Sequence, residues 1–198
     1  MLKYLFLKPS DDSPSGPWLE VPPEADVFTY HREHAGRALL FGLILAAIIE
    51  ATALHWLISL WSHWLALAAT VTTVWLILQI LAQIRAVGLR PIYINQGHLI
   101  LRNGAFDLAD VPVSQIESIE KSSREPNCEK GDLAPLNVSF PASHNIIMRL
   151  KEPAEATLLN RKKRDFQIAL LAIDEGERLV ETVDNQLAEI RETEARMD

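Results

Sequence analysis

Glu50 and His55 are candidates for chemistry in an unusual setting, because they lie inside the apolar stretch LILAAIIEATALHWLISLW (residues 43–61). Carboxyl and imidazole groups carry out proton transfer, hydrogen bonding and metal ligation. Among apolar neighbours and away from water, such groups need a polar partner. Five residues along a helix turn the side-chain direction by roughly 140°, so Glu50 and His55 do not share a helix face. That spacing disfavours a joint metal site on one helix, for which three or four residues would be expected.

A second set of candidate residues stands just before that stretch, in TYHREH (residues 29–34), where His31 and His34 are three apart. On a helix this spacing puts both imidazoles on one face, which suits metal ligation. Two interpretations are open. The residues form a polar face beside a membrane surface, or they form a metal site that a distant third ligand completes.

The densest run of positive charge is RKKR, formed by Arg161, Lys162, Lys163 and Arg164. Clustered cations attract anionic lipid headgroups with roughly 1 kcal/mol per charge near the surface. The alternative is a solvated tip between two strands. Nucleic acid is not an expected partner, because the net charge is −7 and no aromatic residues alternate with the basic ones.

The elements that must position these residues begin with two apolar runs, residues 38–60 and 65–84, separated by the short segment WSHW. A hydrocarbon core about 30 Å thick requires roughly 20 helical residues, and each run is long enough. Helices of soluble proteins are rarely apolar on all faces over this length. The sequence therefore predicts two transmembrane helices that form a hairpin.

Charge around the hairpin predicts its orientation. Arg32 and Arg37 precede the first run, Arg85 and Arg90 follow the second, and no Lys or Arg lies between Ala38 and Ile84. The positive-inside rule then places both termini in the cytoplasm.

The hairpin also suggests partners for the buried polar groups. Folding it at Ser62 brings Glu50 to the depth of Val74, near Thr72, Thr73 and Trp75, and allows His55 to reach either the membrane interface or Thr70. Glu50, His55 and Thr73 are thus predicted to form an intramembrane polar site. Whether that site provides hydrogen bonds between helices, within one chain or between copies, or holds a ligand, a proton or a metal ion is left open.

After Arg90 the pattern changes to short β-rich runs. Gln96-Gly97 and Asn103-Gly104 are typical hairpin turns. Asp174 is a predicted N-cap of a last helix, whose apolar stripe consists of Leu179, Val180, Val183, Leu187 and Ile190. The fold class is α+β, with antiparallel strands closed by a C-terminal helix.

Three regions follow from these patterns. Residues 1–25 are an extended segment rich in Pro and Ser, residues 26–90 comprise a juxtamembrane helix and the hairpin, and residues 91–198 form the cytoplasmic β module. Pro22-Pro23, followed by Glu24 and Asp26, is expected to open the juxtamembrane helix.

Three features follow one another along the chain: LRPIYINQGHLILRNGAF, then VPVSQIESIE, then a junction of a strand, Asp-Glu and a helix. Their order resembles that of the bacterial pleckstrin-homology-like (bPH) domains that follow a two-helix membrane hairpin. The resemblance implies a PH-like antiparallel barrel or sandwich, and a location in the inner membrane of a bacterium. Eukaryotic pleckstrin-homology domains bind phosphoinositides with basic residues around the first hairpin loop. Here that loop, Asn95 to His98, contains no Lys or Arg.

The sequence contains no phosphate-binding Gly loop, nucleophile elbow, HExxH motif or paired-carboxylate arrangement. None of these motifs therefore predicts an enzyme or a bound cofactor. The leading hypothesis is a non-enzymatic membrane scaffold whose β module docks partner proteins or organises a membrane complex. Its expected partners are membrane lipid and other membrane proteins or further copies of the chain. One alternative is an oligomeric enzyme or small-molecule carrier that uses Glu50 and His55, with metal at His31 and His34. Another is anionic-lipid binding through Arg161 to Arg164.

Overall fold

A computed structural model describes residues 21–30, 34–126, 133–139, 143–158 and 162–197. These residues contain three helices: α1 (His34–Ser59), α2 (His63–Leu89) and α3 (Gly176–Met197). Their strands are β1 (Asp26–Phe28), β2 (Ile92–Asn95), β3 (His98–Asn103), β4 (Phe106–Pro112), β5 (Ile116–Lys121), β6 (Leu136–Asn137), β7 (Ile146–Thr157) and β8 (Lys163–Leu171). A short 3₁₀ turn, Val113–Gln115, separates β4 from β5.

Helices α1 and α2 form the predicted hairpin. Ser62 caps the start of α2, where its side-chain oxygen accepts a hydrogen bond from the Leu65 amide at 3.4 Å. Ala38–Ser59 and His63–Leu89 are long and apolar enough to cross a membrane. In the apolar stretch of each span, the buried share is 0% in α1 and 11% in α2. Each helix therefore touches the other along one side and leaves most of its apolar surface uncovered.

The segment before α1 contains a strand where the sequence predicted the entry to a juxtamembrane helix. Asp26–Phe28 pairs antiparallel with Ile92–Ile94, and Phe28 is fully buried in the core of the module. Pro22 belongs to a turn, closed by the hydrogen bond from the Ala25 amide to the Pro22 carbonyl at 3.2 Å. The helix-entry prediction is wrong because burial of Phe28 and the backbone pairing of β1 outweigh the local helix-start pattern.

The strands form two sheets of four, in the orders β1-β2-β3-β4 and β5-β7-β8-β6. All pairs are antiparallel except β6 with β8, which is parallel. The mixed α+β class is confirmed, whereas the two sheets do not close into a barrel. The polypeptide passes from one sheet to the other through the 3₁₀ turn after β4.

One hydrophobic core joins both sheets and α3. It contains Ile94 and Leu101 from the first sheet and Met148 and Phe166 from the second, all buried. The predicted stripe of α3 is confirmed where the helix meets this core, because Leu179, Val183 and Leu187 are buried there. The helix begins at Gly176, two residues beyond the expected cap Asp174, and the Asp174 amide donates to the Thr29 carbonyl at 2.8 Å.

Candidate functional site

His55 makes the polar contact that joins the two apolar helices. Its Nδ1 lies 2.7 Å from the Thr70 hydroxyl, and that hydroxyl lies 3.0 Å from the Ala66 carbonyl in the preceding turn. The Thr70 hydroxyl thus bridges the imidazole of α1 and a backbone carbonyl of α2, and its single hydrogen can go to only one of them. The predicted approach of His55 to Thr70 agrees with this geometry.

A groove of about 370 Å³ runs between the helices around this contact. It is lined by Ile48, Ala51, Thr52, His55, Thr70, Thr73, Val74 and Ile77. The Thr52 and Thr73 hydroxyls donate to the carbonyls of Ile48 and Ala69, at 2.8 and 3.1 Å. The polar groups of the groove are thus engaged within the hairpin, and its walls are otherwise apolar.

Glu50 lies outside this groove. Its side chain is exposed, and Glu50 is absent from the groove lining that contains His55 and Thr73. On an ideal helix Glu50 points roughly 150° away from the mean direction of Ile48, Ala51, Thr52 and His55. The structure therefore brings His55 and Thr73 together and leaves Glu50 on the opposite side of α1.

The predicted histidine pair lies only partly within the described residues. His31 lies outside the described residues, and His34 is described only in its backbone, as the first residue of α1. Among the described side chains, no group of three or more His, Cys, Asp or Glu residues is arranged to hold a metal ion.

The basic run lies at the tip of the β7–β8 hairpin, with Arg161 outside the described residues. Lys162 is exposed, and Lys163 forms an ion pair with Glu155 at 2.7 Å, which raises the lysine pKa through the hydrogen bond and the charge of that carboxylate. The Arg164 guanidinium donates to the carbonyls of Ala134 and Pro135. Two of the predicted headgroup cations therefore have contacts within the module.

The polar junction between α2 and the module was not predicted. Gln83 Nε2 donates to the Asn103 carbonyl at 3.2 Å, and Gln83 Oε1 accepts from the Ala105 amide at 3.2 Å. One glutamine side chain thus holds both sides of the β3–β4 turn. Gly104 occupies the first central position of that turn with φ +58°, a conformation for which glycine is preferred.

Tyr30 and Arg90 complete the junction. The Tyr30 hydroxyl donates to the Arg90 carbonyl at 3.0 Å and accepts from the Gly104 amide at 2.8 Å. The Arg90 guanidinium donates to the Gly104 carbonyl at 3.3 Å, and Arg90 is only 2% exposed. Arg90 is therefore a buried structural cation, whereas the sequence analysis had counted it among the charges flanking the membrane.

Only one sequence signal pointed to this junction. The Asn103-Gly104 pair indicated a tight turn, but a turn pattern does not reveal which distant side chain binds it. Gln83 stands 20 residues earlier in an otherwise apolar helix, and Tyr30 stands more than seventy residues before Gly104. Contacts over such separations depend on how the chain folds back.

Beside the loop between β2 and β3, an imidazole and a carboxylate form an exposed pair. His98 Nδ1 lies 2.8 Å from Asp110 Oδ1 across β3 and β4. An open groove of about 360 Å³ beside this pair is lined by Tyr93, Asn95, Gln96, His98, Ile100 and Asp110. A groove with a carboxylate and without Lys or Arg offers little attraction to an inositol phosphate.

Comparison with protein families, with curated proteins and with solved structures finds no match to this chain.

Proposed function

We propose that the protein is a non-enzymatic integral membrane scaffold. In this proposal α1 and α2 cross the inner membrane of a bacterium as a hairpin. The β module, whose order of elements resembles PH-like domains, lies on the cytoplasmic face and docks partner proteins.

The observation that carries the proposal is the distribution of uncovered apolar surface. Among the described residues, every exposed large hydrophobic side chain except Leu133 lies between Leu39 and Leu78. Trp61 and Trp64 are 93% and 80% exposed at the turn of the hairpin, where indoles favour the headgroup region. Soluble monomers rarely expose apolar patches larger than a few hundred Å². Two long, predominantly apolar helices that leave most of their apolar side chains uncovered are suited to a lipid environment.

Charge supports the proposed orientation. The apolar helices contain no Lys or Arg from Ala38 to Ile84, and the exposed Arg85 follows at the end nearest the module. Arg37 lies in α1 just before its apolar span Ala38–Ser59, at the same end of the hairpin. The positive-inside rule then assigns this end, and the module with it, to the cytoplasm.

A docking role is supported by the way the module is held. Gln83, Tyr30 and Arg90 tie the β3–β4 turn to the end of α2 through hydrogen bonds, so the module keeps a fixed orientation at the membrane surface. The outer face of α3 carries exposed acidic side chains that include Glu181, Asp184, Glu189 and Glu192. A partner with a basic surface would match this face.

The alternatives receive less support from the same geometry. A carrier or enzyme that uses Glu50 together with His55 needs both groups in one site, and in the single chain they lie on opposite sides of α1. Lipid binding by the basic run competes with the contacts that Lys163 and Arg164 make within the module.

The docking proposal is tested by affinity purification from membranes in mild detergent, with proteins identified by mass spectrometry. We expect a defined partner with the wild-type chain and its loss with Glu181→Lys/Glu189→Lys, which reverses charge on α3. Glu117→Lys/Glu120→Lys makes the same charge change on the exposed positions of β5 and should keep the partner. Equal recovery with all three chains would contradict docking at α3, and recovery of the chain alone would contradict docking altogether.

A further inference from the structure

Glu50 is an ionisable group on an uncovered face of an apolar helix. Its side chain is exposed, and within the described part of the chain no hydrogen bond or ion pair reaches it. If α1 crosses a bilayer, Glu50 stands near the middle of the span, where an unpartnered carboxyl group is costly. The partner must therefore come from outside the single chain.

The residues around Glu50 have the spacing of a helix-pairing seam. Positions that alternate four and three residues apart lie on one side of a helix and meet a second helix in a left-handed coil. Along α1 the alternating series consists of Leu39, Leu43, Ala46, Glu50, Ala53 and Leu57, here called the Glu50 seam. All six side chains are exposed.

Residue size along the Glu50 seam favours close approach at its centre. Ala46 and Ala53 flank Glu50, and leucines occupy the positions further out. Small residues at the centre allow two backbones to come near each other, which lets a short polar side chain reach its counterpart. The leucines provide packing on either side.

We propose that the Glu50 seam is the interface of a parallel homodimer, in which Glu50 hydrogen-bonds the partner subunit's Glu50. Two copies of one chain insert with the same topology, so the two carboxyl groups are at equal depth. A two-fold axis along the membrane normal brings them together. A protonated carboxyl group both donates and accepts, so the pair is self-complementary. This inference rests on the membrane insertion proposed above but not on partner docking by the module.

Cysteine cross-linking in membranes tests the interface. The single native cysteine is first removed by Cys128→Ser, and Ala46→Cys and Ala53→Cys are then introduced separately on the Glu50 seam. Leu45→Cys is the matched control, since it is 60% exposed and lies about 120° around the helix from the mean direction of the Glu50 seam. Under mild oxidation we expect disulfide-linked dimers from both seam positions and few from position 45. Equal yields at all three positions, no dimers at the seam, or cross-links to a different protein would overturn the proposal.

Substitution of Glu50 tests the carboxyl pair. Glu50→Gln keeps a group that donates and accepts, so cross-linking through Ala53→Cys should be retained. Glu50→Ala removes it, and we expect the dimer to weaken by about threefold to tenfold, as for the loss of an interhelical hydrogen bond. Thr72→Val removes an exposed hydroxyl from α2 and should change nothing.

Undiminished dimerisation of Glu50→Ala would overturn the carboxyl pair. A chain that remains in washed membranes without forming dimers would overturn this inference alone. A chain that leaves the membranes during washing would overturn the proposed membrane insertion as well.

Discussion

Gly104 illustrates how one position can join two parts of the molecule. A Cβ placed on Gly104 would collide with the side-chain amide of Gln83, whereas a Cβ placed on Gly97 would meet nothing within 4 Å. Both glycines have positive φ, +58° and +75°, so alanine is strained at either position. Comparing an alanine substitution at Gly97 with one at Gly104 therefore distinguishes the cost of backbone strain from the cost of the collision with α2.

We expect Gly97→Ala to destabilise the module by about 1–2 kcal/mol, the cost of left-handed backbone for a non-glycine residue. Gly104→Ala should cost about 1–2 kcal/mol more, because Gln83 must move and lose its hydrogen bonds to the turn. Hydrogen exchange of the β3 and β4 amides in detergent measures both changes.

A double substitution separates the causes of the Gly104 effect. Adding Gln83→Ala to Gly104→Ala removes the collision, so the combined effect should be smaller than the sum of the two single effects. Equal destabilisation by Gly97→Ala and Gly104→Ala would show that the Gln83 contact contributes nothing.

At the scale of elements, exposed ion pairs connect parts that the core already holds together. Lys121 at the end of β5 and Glu177 in the first turn of α3 lie 2.7 Å apart. The lysine hydrogen bond and charge lower the pKa of Glu177 from its ordinary value of 4.5. Both side chains are largely exposed, so the contribution to stability is small and decreases with salt.

The lowered pKa fixes the direction of the pH dependence. Folding favours the ionised carboxylate, so the stabilisation is present above pH 4.5 and is lost as the pH falls through the folded-state pKa of Glu177. We expect Lys121→Met to lower the thermal midpoint slightly at pH 7 and to have no effect in acid.

Lys151→Met is the matched control, because Lys151 donates to the Ser114 carbonyl at 2.7 Å, an acceptor that does not titrate. Its effect should persist in acid. If the Lys121→Met difference also persists below the Glu177 pKa, the ion pair is not its cause.

Local pattern predicted the elements better than it predicted their pairing. The apolar lengths of α1 and α2, the turn at Gln96-Gly97 and the stripe Leu179, Val183 and Leu187 agree with the structure because each depends on neighbouring residues. The strand at Asp26–Phe28 was missed because its partner β2 stands more than sixty residues further along the chain. Barrel closure could not be decided from the order of strands alone.

For the candidate site too, local contacts could be predicted from the sequence, and contacts that depend on the folding of distant segments could not. For His55 the sequence left two partners open, the membrane interface and Thr70, and in the hairpin His55 contacts Thr70. The sequence did not indicate that Glu50 would lie opposite the groove. The depth of Glu50 follows from the number of residues to the turn, whereas the direction of its side chain depends on how α1 is rotated against α2. Tyr30, Gln83 and Arg90 were missed as a group because they meet only in the folded chain.

At the scale of the whole molecule, the protein combines a compact core with an apolar extension. The core is shared by both sheets and α3, and the extension consists of α1 and α2. The polar junction at Gln83 and Gly104 connects the two. On our account the extension is solvated by lipid, and the junction sets the orientation of the module at the cytoplasmic surface.

The accessibility of single cysteines on the two sides of the membrane tests this account most directly. In a Cys128→Ser chain, Ser62→Cys marks the turn of the hairpin and Ser118→Cys marks an exposed position of the module. A membrane-impermeant maleimide is added to spheroplasts before and after permeabilisation. We predict labelling at position 62 in intact spheroplasts and labelling at position 118 only after permeabilisation. Labelling at position 118 in intact spheroplasts, or a chain that remains soluble without detergent, would contradict the account.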